Sequence, residues 1–283
     1  GTSYWIIEKL ETVSWPSWIN IAAHTGLVVF TALILAFELV WIFETKLDLP
    51  GQGYYAVFAV IPLIALRVAQ IEVLPAIKRI GPALQLSLIG TLSVLLLLWN
   101  LVINLTNSGD PAPLPYIPFI NPVDLTQIVF FVLVLDSLKL VKPSMKILRD
   151  HIGVILAGLC FVWLTAVLIR SMHHYLDIGF DLSAMSVDTR VQSAISILWT
   201  VIGMGAMLFA SRNKLRPLWI VGAALVGVVL VKMFFIDLGA SGTVERIVSF
   251  LVVGSLLVAT GYFSPIPEKY SDPDEKMVGS SHA

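Results

Sequence analysis

Stretches of about twenty apolar residues recur along this chain, and each is long enough to cross the hydrocarbon core of a bilayer as a helix. No water is available there to satisfy backbone N–H and C=O groups, so a segment that bonds them internally is required. Candidate spans fall at residues 19–43, 54–68, 83–105, 122–141, 151–172, 191–210, 217–236 and 246–263. The expected fold is an all-α, polytopic transmembrane helical bundle of about eight spans. Composition agrees: 57% of the 283 residues are hydrophobic and 13% are charged, where a soluble domain has about a quarter charged. A net charge of -1 without a basic block argues against nucleic acid as a partner. The single cysteine, Cys160, excludes an internal disulfide. No cleavable signal peptide is evident.

Punctuation and charge set the expected layout. Residues 1–18 carry Trp5, Trp15 and Trp18 among charges and read as an interfacial lead-in. Residues 19–263 form the bundle, and 264–283 read as a polar, disordered cytoplasmic tail. Pro50-Gly51 breaks the chain after the first span. Residues 107–121 form a proline-rich loop, and Asn121-Pro122-Val123-Asp124 reads as a helix start with an Asn cap, Pro at the first position and an acid in the first turn. Most basic residues (Lys9, Arg67, Lys78, Arg79, Lys142, Lys146, Arg149, Arg212, Lys214, Arg216, Lys269, Lys276) fall on one side of an eight-span path. That side, with both termini, is assigned to the cytoplasm. The proline-rich loop, a polar loop over 173–190 and the 238–245 hairpin then face outward.

The most distinctive stretch closes the fifth span. If its helix continues, Arg170, His173, His174 and Asp177 fall at i, i+3, i+4 and i+7 on one stripe. The bland reading is boundary decoration, since charges near a helix end are cheap. The sharper one is an anion or headgroup site in which Arg170 is the bidentate donor and His173 or His174 moves a proton, with Asp177 or Asp237 orienting the base. Lys232 lies inside the end of the seventh span, with Asp237 closing that span and Arg246 opening the next. These are read either as a snorkelling lysine beside an Asp237–Arg246 pair, or as Lys232 and Arg246 joining Arg170 around one anion. Gln192, Ser196, Trp199, Thr200 and Gly203 share a helical stripe, with Gln192 and Trp199 as candidate substrate contacts and close packing as the plainer reading. Ala223 and Gly227 form a small-residue packing pair. Glu38 is a candidate counter-charge for Lys232 or Arg170. Asp124 and Gln127 share a face, and Asp136 and Lys139 are expected to neutralise each other. His173 and Asp177 alone fall short of a metal signature, and no cofactor motif, Gly-rich phosphate loop, HExxH or GxSxG is present.

Several ordered motifs carry a family resemblance: Arg170-x-x-His173-His174, Val191-Gln192-Ser193-Ala194-x-Ser196-Ile197-Leu198-Trp199, Val231-Lys232-Met233-Phe234-Phe235-x-Asp237-Leu238 and Arg246-Ile247-Val248-Ser249-Phe250. With Leu114-Pro115-Tyr116-Ile117-Pro118 upstream, they resemble the C-terminal part of a bacterial multi-pass membrane family called domain of unknown function 2339. The resemblance implies a bacterial inner-membrane location and a C-terminal portion or shortened member; it implies no activity. From the residues, the leading expectation is a cell-envelope enzyme or handling protein with a periplasm-facing site for an anionic lipid or lipid-linked glycan. A transporter or channel is the first alternative, and a structural subunit pairing with further membrane helices or partner subunits is the second.

Overall fold

The computed structural model describes residues 16–47, 52–71, 81–140 and 146–233, together with helical positions 251, 254–255, 258 and 261–262. The chain packs as two units, Gly1–Phe180 and Asp181–Ala283. In the first, α1 is Ser17–Thr45, a 3-10 turn at Gly53–Ala56 leads into α2 at Val57–Gln70, α3 is Pro82–Thr106, α4 is Pro122–Ser137 and α5 is Lys146–Leu176. In the second, α6 is Leu182–Val187, α7 is Thr189–Arg212 and α8 is Arg216–Lys232. No strand occurs among the described residues. Among the described residues, five segments are long and apolar enough to cross a membrane: Ser17–Thr45, Gly53–Gln70, Pro82–Thr106, Arg149–Leu176 and Thr189–Arg212. Helices α4 and α8, at 16 and 17 residues, are shorter. The eighth expected span and the tail lie almost wholly outside the described residues.

Helix α3 is the hub of the first unit, touching α1, α2, α4 and α5. Its buried residues recur every three or four positions (Leu84, Leu88, Leu92, Leu96, Asn100, Ile103), giving one continuous face. Leu63 and Leu66 of α2, Phe130 and Val134 of α4, and Leu156 and Leu159 of α5 complete that core. Polar clamps bracket it. At one end Gln70 Nε2 donates to Leu133 O and Ser137 Oγ, both at 2.7 Å, and Gln85 Nε2 donates to Ala69 O at 3.1 Å. Arg67 and Lys139 both pair there with Asp136, so the expected i,i+3 pair has a third member. At the other end Asn104 and Gln127 exchange amide hydrogen bonds at 2.9 and 3.0 Å. The helix rise from Gln85 to Asn104 is about 28 Å, close to the roughly 30 Å of a hydrocarbon core. The clamps therefore sit where a membrane-spanning bundle can hold polar groups most cheaply, and the leucines between them leave no continuous polar path along α3.

The start of α4 follows the sequence: Asn121 Oδ1 accepts from Asp124 N at 3.0 Å, behind Pro122 at the first position. The end of α5 does not. Residues 173–176 continue the helix, and the segment expected as a loop also contains α6. The helix stops because Asp177 turns left-handed, with φ 53, a conformation Asp tolerates better than most residues. Arg170, His173 and His174 stay on one helix, but Asp177 leaves the stripe.

In the second unit Asp188 caps α7, its Oδ1 accepting from Arg190 N at 2.8 Å and Val191 N at 3.4 Å. The hydrogen bond from the Arg190 guanidinium, helped by the two capping amides, holds this carboxyl below the ordinary range. A depressed carboxyl stabilises the fold above its unfolded pKa, and that contribution is lost as pH falls through the folded value. Amide exchange at Arg190 and Val191, relative to intrinsic rates, is thus expected to accelerate below about pH 4. The acceleration should be absent in Asp188→Asn; protection that stays flat in the native chain down to pH 2 contradicts it.

Candidate functional site: a closed ion pair under a ring-lined surface

Arg170 lies in the last two turns of α5 and is 0% exposed, the largest fully buried side chain among the described residues. Burying a guanidinium demands that its charge and its donors be met. Here they are: Nη1 donates to Asp124 Oδ1 at 2.9 Å, Nε to Asn107 O at 3.0 Å, and Nη2 to Ile103 O and Asn104 Oδ1, both at 3.1 Å. Asp124, also 0% exposed, is equally saturated. Its Oδ1 accepts Trp163 Nε1 at 2.9 Å, and its Oδ2 accepts Asn121 Nδ2 at 2.5 Å and Phe119 N at 3.2 Å. Three elements and the proline-rich loop are tied by this one pair. Arg170, expected either as boundary decoration or as the donor to a substrate anion, closes on a protein carboxylate. Its counter-ion is Asp124, not Glu38, which lies exposed on α1.

The loop covers the pair closely. Gly109 sits at φ 69, and a Cβ there would lie 3.0 Å from Arg170 Cδ, so both backbone shape and space call for glycine. Tyr116 is 7% exposed and stacks on His174 with ring centroids 4.2 Å apart. Burial, with a smaller push from the Asp124 carboxylate, raises its phenol to about 12. The phenol oxygen is buried without a hydrogen-bond partner among the described residues; the Ser171 hydroxyl donates its proton to Val167 O.

The two histidines are held by carbonyls. His174 Nε2 meets Ser108 O at 3.0 Å, and His173 Nδ1 meets Ile178 O at 2.6 Å. A carbonyl only accepts, so each of these nitrogens carries the proton, which leaves His173 Nε2 and His174 Nδ1 as acceptors in the neutral rings. Both imidazoles are half-buried, their centroids 4.8 Å apart, with Phe180 beside His173. Tyr175 is 61% exposed and anchors through its hydroxyl, which donates to Tyr116 O at 2.9 Å. Asp177 is exposed and off the helix. Among the described residues no three His, Cys, Asp or Glu side chains come together to hold a metal ion.

In the second unit Lys232 Nζ donates to Gln192 O at 3.0 Å and Ser196 Oγ at 2.8 Å, pinning the end of α8 to the start of α7. Gln192 also donates from its amide to Met185 O at 2.9 Å, and Trp199 is half-buried on α7. Lys232 and Gln192 are thus brought together, whereas Arg170, His173 and His174 belong to the other unit. Asp237 and Arg246 lie outside the described residues. Sequence reasoning missed the partners Asn107, Tyr116 and Trp163, although the shared face of Asp124 and Gln127 was a legible sign that α4 turns polar groups inward.

Several apolar helices of membrane-crossing length, with ionic groups closed by pairing at their ends, define a multi-pass helical membrane protein. No curated protein and no solved structure matches the chain. Residues 1–267 match the family described as predicted membrane protein (DUF2339), and the chain belongs to that family.

Proposed function

We propose that this protein is a bacterial inner-membrane handling protein of about eight spans, with cytoplasmic termini and a periplasmic face that binds the headgroup of a lipid-linked glycan. The observation that carries the reading is the half-buried pair of imidazoles beside the exposed Tyr175, each held by a backbone carbonyl and each keeping one acceptor nitrogen. With the guanidinium occupied by Asp124, contact with a ligand falls to ring faces and these acceptors, which suit sugar hydroxyls better than phosphate. In this reading His173 and His174 contact the ligand rather than move a proton, and Arg170 holds the loop that presents them. The apolar centre of α3 weighs against a transport path.

The expected result is that replacing His173 and His174 together with alanine alters envelope glycan or lipid composition while the amount of folded protein is unchanged. An unchanged envelope removes this reading. A structural subunit is the second reading, favoured by the closed Arg170–Asp124 pair, which needs no ligand. It predicts an unchanged envelope in the histidine variant together with loss of a co-purifying membrane subunit when the bundle itself is destabilised.

A further inference from the structure

A groove with a cavity volume of about 450 Å³ opens in the first unit among α1, the 3-10 turn, α2 and α3. One end is ring-lined and apolar, with Phe37 of α1 in edge contact with Phe58 of α2 at 5.2 Å, and Trp99 and Val102 of α3 alongside. The other end is polar, with Gln52 exposed and Asn107 buried behind it. The helix rise from Trp99 to Thr106 puts about 10 Å between the two levels. The polar end is also preformed. Asn107 Nδ2 donates to Gln52 O at 2.9 Å and Gly53 N donates to Asp110 O at 2.6 Å. A Cβ on Gly53 would lie 2.5 Å from that carbonyl, so the turn and the loop are in tight contact.

Two features choose the occupant. The walls belong to segments of membrane-crossing length, so an occupant needs an apolar body and a polar end pointing toward the loop. A helix, about 10–12 Å across, has more volume over that depth than the groove offers. Asn107 supplies the link to the ring-lined surface: it lines the polar end, its carbonyl accepts from Arg170, and the carbonyl of the next residue, Ser108, accepts from His174.

We propose that this groove holds one hydrocarbon chain of a lipid whose headgroup lies at the polar end, beyond exposed Gln52 and toward half-buried His174. The headgroup half rests on the function proposed above; the chain half stands on the groove alone. The test is native mass spectrometry of the full chain, released into detergent from nanodiscs of phosphatidylethanolamine and phosphatidylglycerol. Val102 lines the groove and is 59% exposed, so Val102→Trp fills the space without disturbing the core. Leu98→Trp, 55% exposed on the same helix but outside the groove, is the control. Native protein and Leu98→Trp are expected to retain one lipid per chain, and Val102→Trp to lose it, all three with the same helix content. Equal retention in all three, or no lipid on the native chain, overturns the proposal. Loss in Val102→Trp with an unchanged envelope in the histidine variant leaves the groove standing and removes the glycan reading; the converse removes the groove and keeps the glycan.

Discussion

Asp124→Leu is expected to destabilise the purified protein by about 3–5 kcal/mol, the cost of leaving a buried charge without its partner. The reason is the location of Arg170. It is fully buried, and once Asp124 is gone it retains only the neutral acceptors Asn107 O, Ile103 O and Asn104 Oδ1. An arginine cannot shed its proton to escape. The reverse change, Arg170→Met, is expected to cost less. Asp124 keeps Trp163, Asn121 and Phe119 as donors and can take up a proton. The double variant should recover part of the loss, because no unpaired charge remains, although Trp163, Asn121 and Phe119 lose their acceptor. Arg170→Lys should fail to rescue, since a point charge cannot reach four acceptors on separate segments. Denaturant or thermal unfolding in detergent, arranged as a double-mutant cycle, measures the coupling. Single and double variants of equal stability would show that the pair contributes nothing to the fold.

Gly222→Ala is expected to be the most damaging single-methyl change in the second unit. A Cβ there would lie 2.7 Å from Gly203 O, 2.8 Å from Met207 Cγ and 3.1 Å from Met207 N. Two of those atoms are backbone, so relief requires α7 and α8 to move apart, at a cost of about 1–3 kcal/mol for overpacking. Gly203→Ala should be milder. Its nearest clash is Val226 Cγ2 at 2.8 Å, the tip of a side chain, although Gly222 O follows at 3.0 Å. Gly227→Ala is the control, with nothing within 4 Å, and should be neutral or slightly stabilising. Unfolding midpoints in the order Gly227→Ala, Gly203→Ala, Gly222→Ala, highest first, are the expected outcome. Equal midpoints would mean that close approach of these helices is not what holds them.

That glycine contact marks the limit of reading a packing face from one helix. The stripe ending at Gly203 points to the contact, but the spacing of Ala223 and Gly227 misses its partner by one position. Any small pair four apart satisfies the pattern, and only the rotation of α8 about its own axis selects Gly222 and Val226. The same holds at the ion pair. Arg170 and Asp124 stand out as charges at span ends, yet nothing in either local sequence says that they meet. Lys232 likewise reaches Gln192 O and Ser196 Oγ across α7 and α8, contacts that neither local sequence announces.

The sequence alone determined the all-helical class of fold and some helix starts, that of α4 most clearly. Hydrocarbon length, backbone satisfaction and capping are local requirements, and runs of apolar residues and Asn121-Pro122 state them directly. Only the tertiary structure decided which charges are spent. A guanidinium at a helix end carries the same letters whether it awaits a ligand or closes on a carboxylate 46 positions away. The difference lies in how α3, α4 and α5 are turned toward one another, and a pair formed across helices leaves no local trace in either one.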